Sequence, residues 1–210
     1  MKNAVALTSN TGVPVLKQAL GHEWDSLSPS VQAHYGLSPF TDQQIRVKGV
    51  MDRVSHSRLA ALIAPFTTLA GALIPYTGTN VPVDVLNYSR PGKAAYFWHR
   101  TFFFPGRKPF LFRSSMLCTA PGEVTEFVRF GLGIRLGVSV SDGRLVEHDR
   151  GYIWKVAGWT IPLPLNLMMG TSTIEEFGVS SREFGMRMAL IHPLFGETFA
   201  YAGQFSIIAV

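Results

Sequence analysis

GLGIRLGVSVSDGRLVEHD, residues 131–149, decides the fold. Leu132, Ile134, Leu136, Val138 and Val140 recur at every second position, and Gly133, Arg135, Gly137 and Ser139 fill the alternate ones. A period of two describes a strand with one apolar face. Asp142-Gly143 follows, a pair suited to the two positive-φ positions of a tight turn, and RLVEHD returns. The stretch therefore predicts an antiparallel hairpin.

The same period holds on both sides. AAYFWHRTFFF (94–104), the turn PGRK and FLFRSSMLC (110–118) read as a second hairpin, and EVTEFVRF (123–130) as the strand between the two. GYIWKVAG (151–158), TIEEFGVS (173–180), REFGMRMALI (182–191) and ETFAYAGQFSII (197–208) read as further strands. WTIPLPLNLMMG (159–170) breaks the pattern. Its prolines, Pro162 and Pro164, predict an extended apolar loop that suits neither a helix nor a central strand. That makes about nine or ten strands on short turns, and such a meander closes on itself because open edges are a liability.

Before residue 81 the period is helical. Leu16, Leu20, Trp24 and Leu27 lie at helical spacing, and Ser28-Pro29 restarts a short segment carrying Val31 and Tyr35. Further on, Leu59, Leu62, Ile63, Phe66, Ala70, Leu73 and Ile74 predict a helix with a wide apolar face. This nearly uncharged run, residues 59–74, falls short of the roughly 20 residues a bilayer needs. It reads as a buried or interface-lying helix, available for peripheral membrane contact. The expected fold is α+β but mostly β: N-terminal helices packed on a meandering antiparallel β-barrel or strongly curved sheet of about 9–10 strands, calycin- or lipocalin-like. Residues 1–80 form the helical segment and 81–210 the barrel-like domain, in one compact unit.

Composition narrows the function. Apolar residues make up 47% of the chain and charged residues 16%, which argues against disorder. The net charge of +5 is spread without a basic run, so nucleic-acid binding is not expected. A single cysteine, Cys118, excludes an internal disulfide or a cysteine zinc site. The start of the chain lacks a signal-peptide pattern, and the expected location is cytoplasmic. No GxSxG, GxxxxGK[ST] or HExxH motif and no close histidine pair occurs, so neither a cofactor nor a metal is expected.

Aromatics outnumber what one sheet face needs, which suggests an apolar cavity inside the barrel as the alternative to a fully packed core. Polar residues set among aromatics are the candidate site. His99, Glu126, Glu176 and His192 are candidate acid–base groups. Trp98, Arg100, Phe102, Phe112, Arg113, Trp154, Phe199 and Tyr201 are candidate ligand contacts. An inward Arg100 or Arg113 needs a carboxylate partner, and Glu126 and Glu176 are eligible. The ring of His192, in a His-Pro turn, has the plainer alternative of capping a neighbouring carbonyl. The expected function is binding of a hydrophobic small molecule or lipid-like ligand. The alternative is a cofactor-free cyclase, isomerase or hydrolase acting on a hydrophobic, natural-product-like substrate in the same cavity. Sequence alone leaves the oligomeric state and the inward strand faces open.

The order WHRTF, FRSSM, GEVTEFV, GLGIRLGVSVSDGRL, GWTIPLPL and HPLFGETFAYAGQF resembles the bacterial domain-of-unknown-function family 4166, over roughly residues 16–208. The recurrent positions of that family map onto Trp98, Arg100, Phe112, Ser114, Gly158, Pro162, Pro164, His192, Pro193, Gly196, Tyr201 and Gly203. The resemblance implies no established activity. It hints at small-molecule or lipid metabolism. The oily run 59–74 and the Met-rich NLMMG depart from the family's pattern.

Overall fold

A computed structural model describes residues 12–58 and 73–209. The chain opens with α1 (Val15–Leu20), a 3-10 turn (Gly21–Ser26) and α2 (Pro29–Tyr35). Strands β1 (Gln44–His56), β2 (Gly78–Tyr88), β3 (Tyr96–Phe102), β4 (Phe110–Ala120), β5 (Glu123–Phe127) and β6 (Leu132–Ser141) follow. Then come β7 (Arg144–Val156), β8 (Trp159–Leu163), a short helix α3 (Asn166–Met169), β9 (Thr171–Gly178), β10 (Glu183–His192) and β11 (Gly196–Ala209).

Every strand pairing is antiparallel. β1 through β7 pair in sequence, β9 joins the first half of β7, and β10 and β11 lead back to β1. Ten strands thus close a barrel. β8 stays outside the ring, folded back on the far half of β7. The turn Asp142-Gly143 has φ of 51° and 75°, the geometry that matches strand twist in a two-residue hairpin. The apolar face of β6 points inward, with Leu136 and Val138 in the core. The outer wall carries Arg46, Lys48, Asp84, Arg113 and Arg187. This apolar-in, charged-out pattern is the reverse of a transmembrane barrel's. Among the described residues no helix is long and apolar enough to cross a membrane.

The helices close one end of the barrel. The backbone N–H of Gly122 donates to Ala19 in α1, and that of Ser28 donates to Gly143. The Glu23 carboxyl accepts the backbone N–H of Val140 at 2.9 Å. α2 lies across the opening, with Val31, His34 and Tyr35 buried beneath it.

Four expectations need correction. The barrel begins with β1, well inside the stretch expected to be helical up to residue 80; its inward residues Ile45, Val47 and Met51 keep a period of two, and a register shift between Met51 and Arg53 carries it out of step to Val54. RLVEHD and GYIWKVAG are one strand, not two, bent by an irregular register where Gly151 has φ 105°. EVTEFVRF is strand only to Phe127; a 3-10 turn takes over at Arg129. WTIPLPLNLMMG is not all loop: Pro162 sits in an edge strand and NLMM forms one helical turn. The helix expected over 59–74 lies outside the described residues except for Leu73 and Ile74.

Gly170 ends α3 at φ 88°, ψ −170°, a region open essentially to glycine alone. A Cβ there would run into the backbone of Ile191. Gly170→Ala is expected to lower stability by about 2–3 kcal/mol or more. Gly106→Ala, at φ 68° with open space around it, should cost less. Urea midpoints of the two variants decide this, and equal midpoints would refute it.

Candidate functional site

The barrel encloses a cavity of about 420 Å³. Eight strands suffice to fill a barrel with side chains, and ten give a wider lumen. At the closed end the floor is His34 of α2, with Glu176 of β9. The middle is walled by Trp98, Arg100, Phe112, Glu126 and Tyr201. At the other end Leu163, Leu165, Met168 and Met169, from β8 and α3, line the mouth.

A polar network runs through this apolar space. Arg100 donates to Glu126 Oε1 and to Ser114 Oγ, each at 3.0 Å. Its guanidinium lies over the rings of Trp98 and Phe112, 4.4 and 5.3 Å from their centroids. Burial works against the cation, but the Glu126 carboxylate outweighs it and holds Arg100 above the ordinary guanidinium range. Below it, Tyr35 Oη donates to Glu176 Oε1 at 2.7 Å, and His34 Nδ1 meets Glu176 Oε2 at 3.1 Å. Tyr96 Oη donates to the His34 carbonyl at 2.5 Å, and Phe184 stacks on the imidazole at 4.4 Å. The floor helix is thus hydrogen-bonded to β9 and β3 and stacked on β10.

Glu147 of β7 completes the cluster. It pairs with Ile174 while Leu145 pairs with Glu176, so the two glutamates are diagonal neighbours on one inward face. Its carboxyl is buried and makes no hydrogen bond or ion pair among the described residues. Burial, then the carboxyls of Glu176 and Glu126, push its pKa up to about 8 against the opposing effect of Arg100. Burial also raises the phenols of Tyr35, Tyr96 and Tyr201. These are hydrogen-bond donors, not bases.

Eight of the twelve sequence candidates line the cavity: Trp98, Arg100, Phe102, Phe112, Glu126, Glu176, Phe199 and Tyr201. The other four do not. His99 and Arg113 are a cross-strand pair on the outer face. The His99 ring meets Tyr88 Oη at 3.0 Å, and burial, then Arg113 and Arg90, lower its pKa. Trp154 sits on the rim and donates its indole N–H to the Phe130 carbonyl. His192 Nδ1 accepts the N–H of Leu194, which leaves Nε2 to donate to the Leu167 carbonyl. Both nitrogens are spent on backbone, so this ring ties a turn to α3.

His34, Tyr35, Tyr96 and Glu147 were missed as site residues. Glu147 carried a signal, since it shares a face with Leu145 in RLVEHD. The helix residues carried none, because only closure of the barrel end brings them to β9. Among the described residues no group of three or more His, Cys, Asp or Glu is placed to hold a metal ion.

The model of the domain of unknown function DUF4166 matches residues 27–205. The chain belongs to this family. The DUF4166 match starts just before the floor helix and ends in β11, so it spans the cavity from floor to mouth. A solved structure, Rv2717c from M. tuberculosis, is similar over 87% of this chain and 99% of that one, at 13% identity and a TM-score of 0.40. No curated protein matches.

Proposed function

We propose that this DUF4166 domain binds a hydrophobic small molecule in its barrel, with a polar end directed at Arg100, Glu126 and Glu176. The supporting observation is the cavity itself, about 420 Å³ and mostly apolar, with its few polar groups converging in its interior. Sites for small ligands have this size and make-up. Methionines 168, 169, 186 and 188 add adaptable walls. A cytoplasmic setting is consistent with the lone, buried thiol of Cys118.

Charge narrows the ligand. Two carboxyl groups, Glu126 and Glu176, line the cavity with one guanidinium, Arg100, which is already paired with Glu126. A ligand carboxylate would add like charge in a poorly solvated space. A hydroxyl or an amine would find acceptors. Native mass spectrometry and organic extraction of the purified protein come first. Displacement of a fluorescent apolar probe by dodecanol, dodecylamine and dodecanoate then ranks the end groups. Dodecanoate is expected to bind at least about tenfold more weakly than dodecanol. Tighter binding of dodecanoate would overturn the charge argument, and no binding by any of the three would count against the carrier reading.

A second reading, acid–base catalysis on the bound molecule, has one observation in its favour. Glu126 is held by Arg100, whereas Glu147 keeps its proton to about pH 8, so neighbouring carboxyls differ in environment. Under that reading the extracted molecule would differ from the one supplied, and Glu126→Gln would abolish the difference.

A further inference from the structure

We propose that the end of the barrel opposite α2 docks on an anionic lipid surface, with exposed apolar side chains at the cavity mouth entering the headgroup region. Large apolar residues stand out of several turns there. Trp159 is 75% exposed, Leu167 75%, Leu194 81%, Phe130 68% and Phe195 62%.

Contacts show that these turns share one rim. His192 joins α3 to the β10–β11 turn through the Leu167 carbonyl and the Leu194 N–H. The Trp154 indole joins β7, on which β8 folds, to Phe130 in the β5–β6 connection. The β3–β4 turn lies at the same end, because β3 runs from Tyr96, bonded to α2 at the closed end, to Phe102, which pairs with Phe110.

Charge selects lipid as the occupant. The segments 103–109, 128–131, 155–169 and 193–195 contain Arg107, Lys108, Arg129 and Lys155 and no acidic residue, and Glu197, just beyond the last of them, is paired with Arg53. The turns at the opposite end mix signs, with Glu23, Asp25, Asp42 and Asp142 among their residues. A ring of cations around protruding aromatics and leucines matches anionic headgroups over an acyl layer. The hydrophobic side chains are spread over four separate segments, with only Leu194 and Phe195 adjacent, which suits a fluid surface better than a shaped protein partner.

The same segments supply the cavity mouth. Met168 is 53% exposed, yet it also lines the cavity. A hydrophobic molecule could therefore pass between bilayer and barrel without crossing water. Docking itself does not depend on the cavity being filled.

Flotation of the purified protein with vesicles tests this. The two compositions are phosphatidylcholine alone and phosphatidylcholine with one third phosphatidylglycerol. Binding is expected only to the second, weakening as salt rises. Leu194→Ser/Phe195→Ser and Arg129→Glu/Lys155→Glu should each reduce bound protein about tenfold or more. Val179→Ser, an exposed apolar site at the closed end, should leave it unchanged. Folding of each variant is checked by circular dichroism. Three results would overturn the proposal: no binding to either vesicle, equal loss with Val179→Ser, or a concentration-dependent dimer abolished by Leu194→Ser/Phe195→Ser. The last would assign the rim to a second copy of this chain.

Discussion

Glu147→Gln is expected to leave stability near pH 5 almost unchanged and to raise it near pH 8 by about 3–4 kcal/mol relative to the wild type. The reason is the buried, unbonded carboxyl, whose pKa in the fold is about 8 against 4.5 for the free group. Between those values the folded chain keeps a proton that the unfolded chain has released. Stability therefore falls as pH rises, by roughly 1.4 kcal/mol per unit for one such group. Above pH 8 the folded state must carry a charge beside Glu176 and Glu126, and the loss levels off. Glutamine has the shape of the protonated acid and does not titrate. Chemical denaturation of both proteins across this range, compared as a difference so that other groups cancel, is the measurement. A difference that stays flat with pH would show that Glu147 ionises normally.

Arg100→Met should be the most damaging single change in the wall, costing about 3–5 kcal/mol near neutral pH. The guanidinium is stacked between Trp98 and Phe112 and bonded to Glu126 and Ser114, and only 23% of its side chain is exposed. Methionine keeps much of the stem's packing. It leaves Glu126, 17% exposed, without its counter-charge and near the Glu147 carboxyl. The double variant Arg100→Met/Glu126→Leu removes both charges and should recover most of the loss, since replacing a whole buried pair is often near neutral. Urea unfolding of the wild type, both single variants and the double variant closes the cycle. If the double variant is as unstable as Arg100→Met, the loss came from packing and not from an unpaired charge.

Much of the barrel was legible in the chain because strand alternation and turn chemistry are local. GLGIRLGVSV shows its apolar face without any partner, and Asp142-Gly143 announces its own turn. The face of β3 that bears Tyr96, Trp98, Arg100 and Phe102 was also visible as a set. Alternation does not say which set points inward, however, and His99 and Arg113 looked as promising as Arg100. That choice follows from closure: the inner face of β3 is the one that meets Met116 and Ser114 on β4 and Glu126 on β5.

By itself, the sequence determined a mostly β chain of short antiparallel strands, the position of its hairpins, and a surplus of apolar and aromatic side chains that a single sheet face cannot use. Tertiary structure alone decided the closed ring of ten, the cavity, and the cluster inside it. His34 and Glu176 are separated by 142 residues and meet only when α2 covers the barrel end beside β9. Glu147 owes its retained proton to burial and to two carboxyls on other strands. Such effects depend on distance through space and on exclusion of water, and neither quantity is written along the chain.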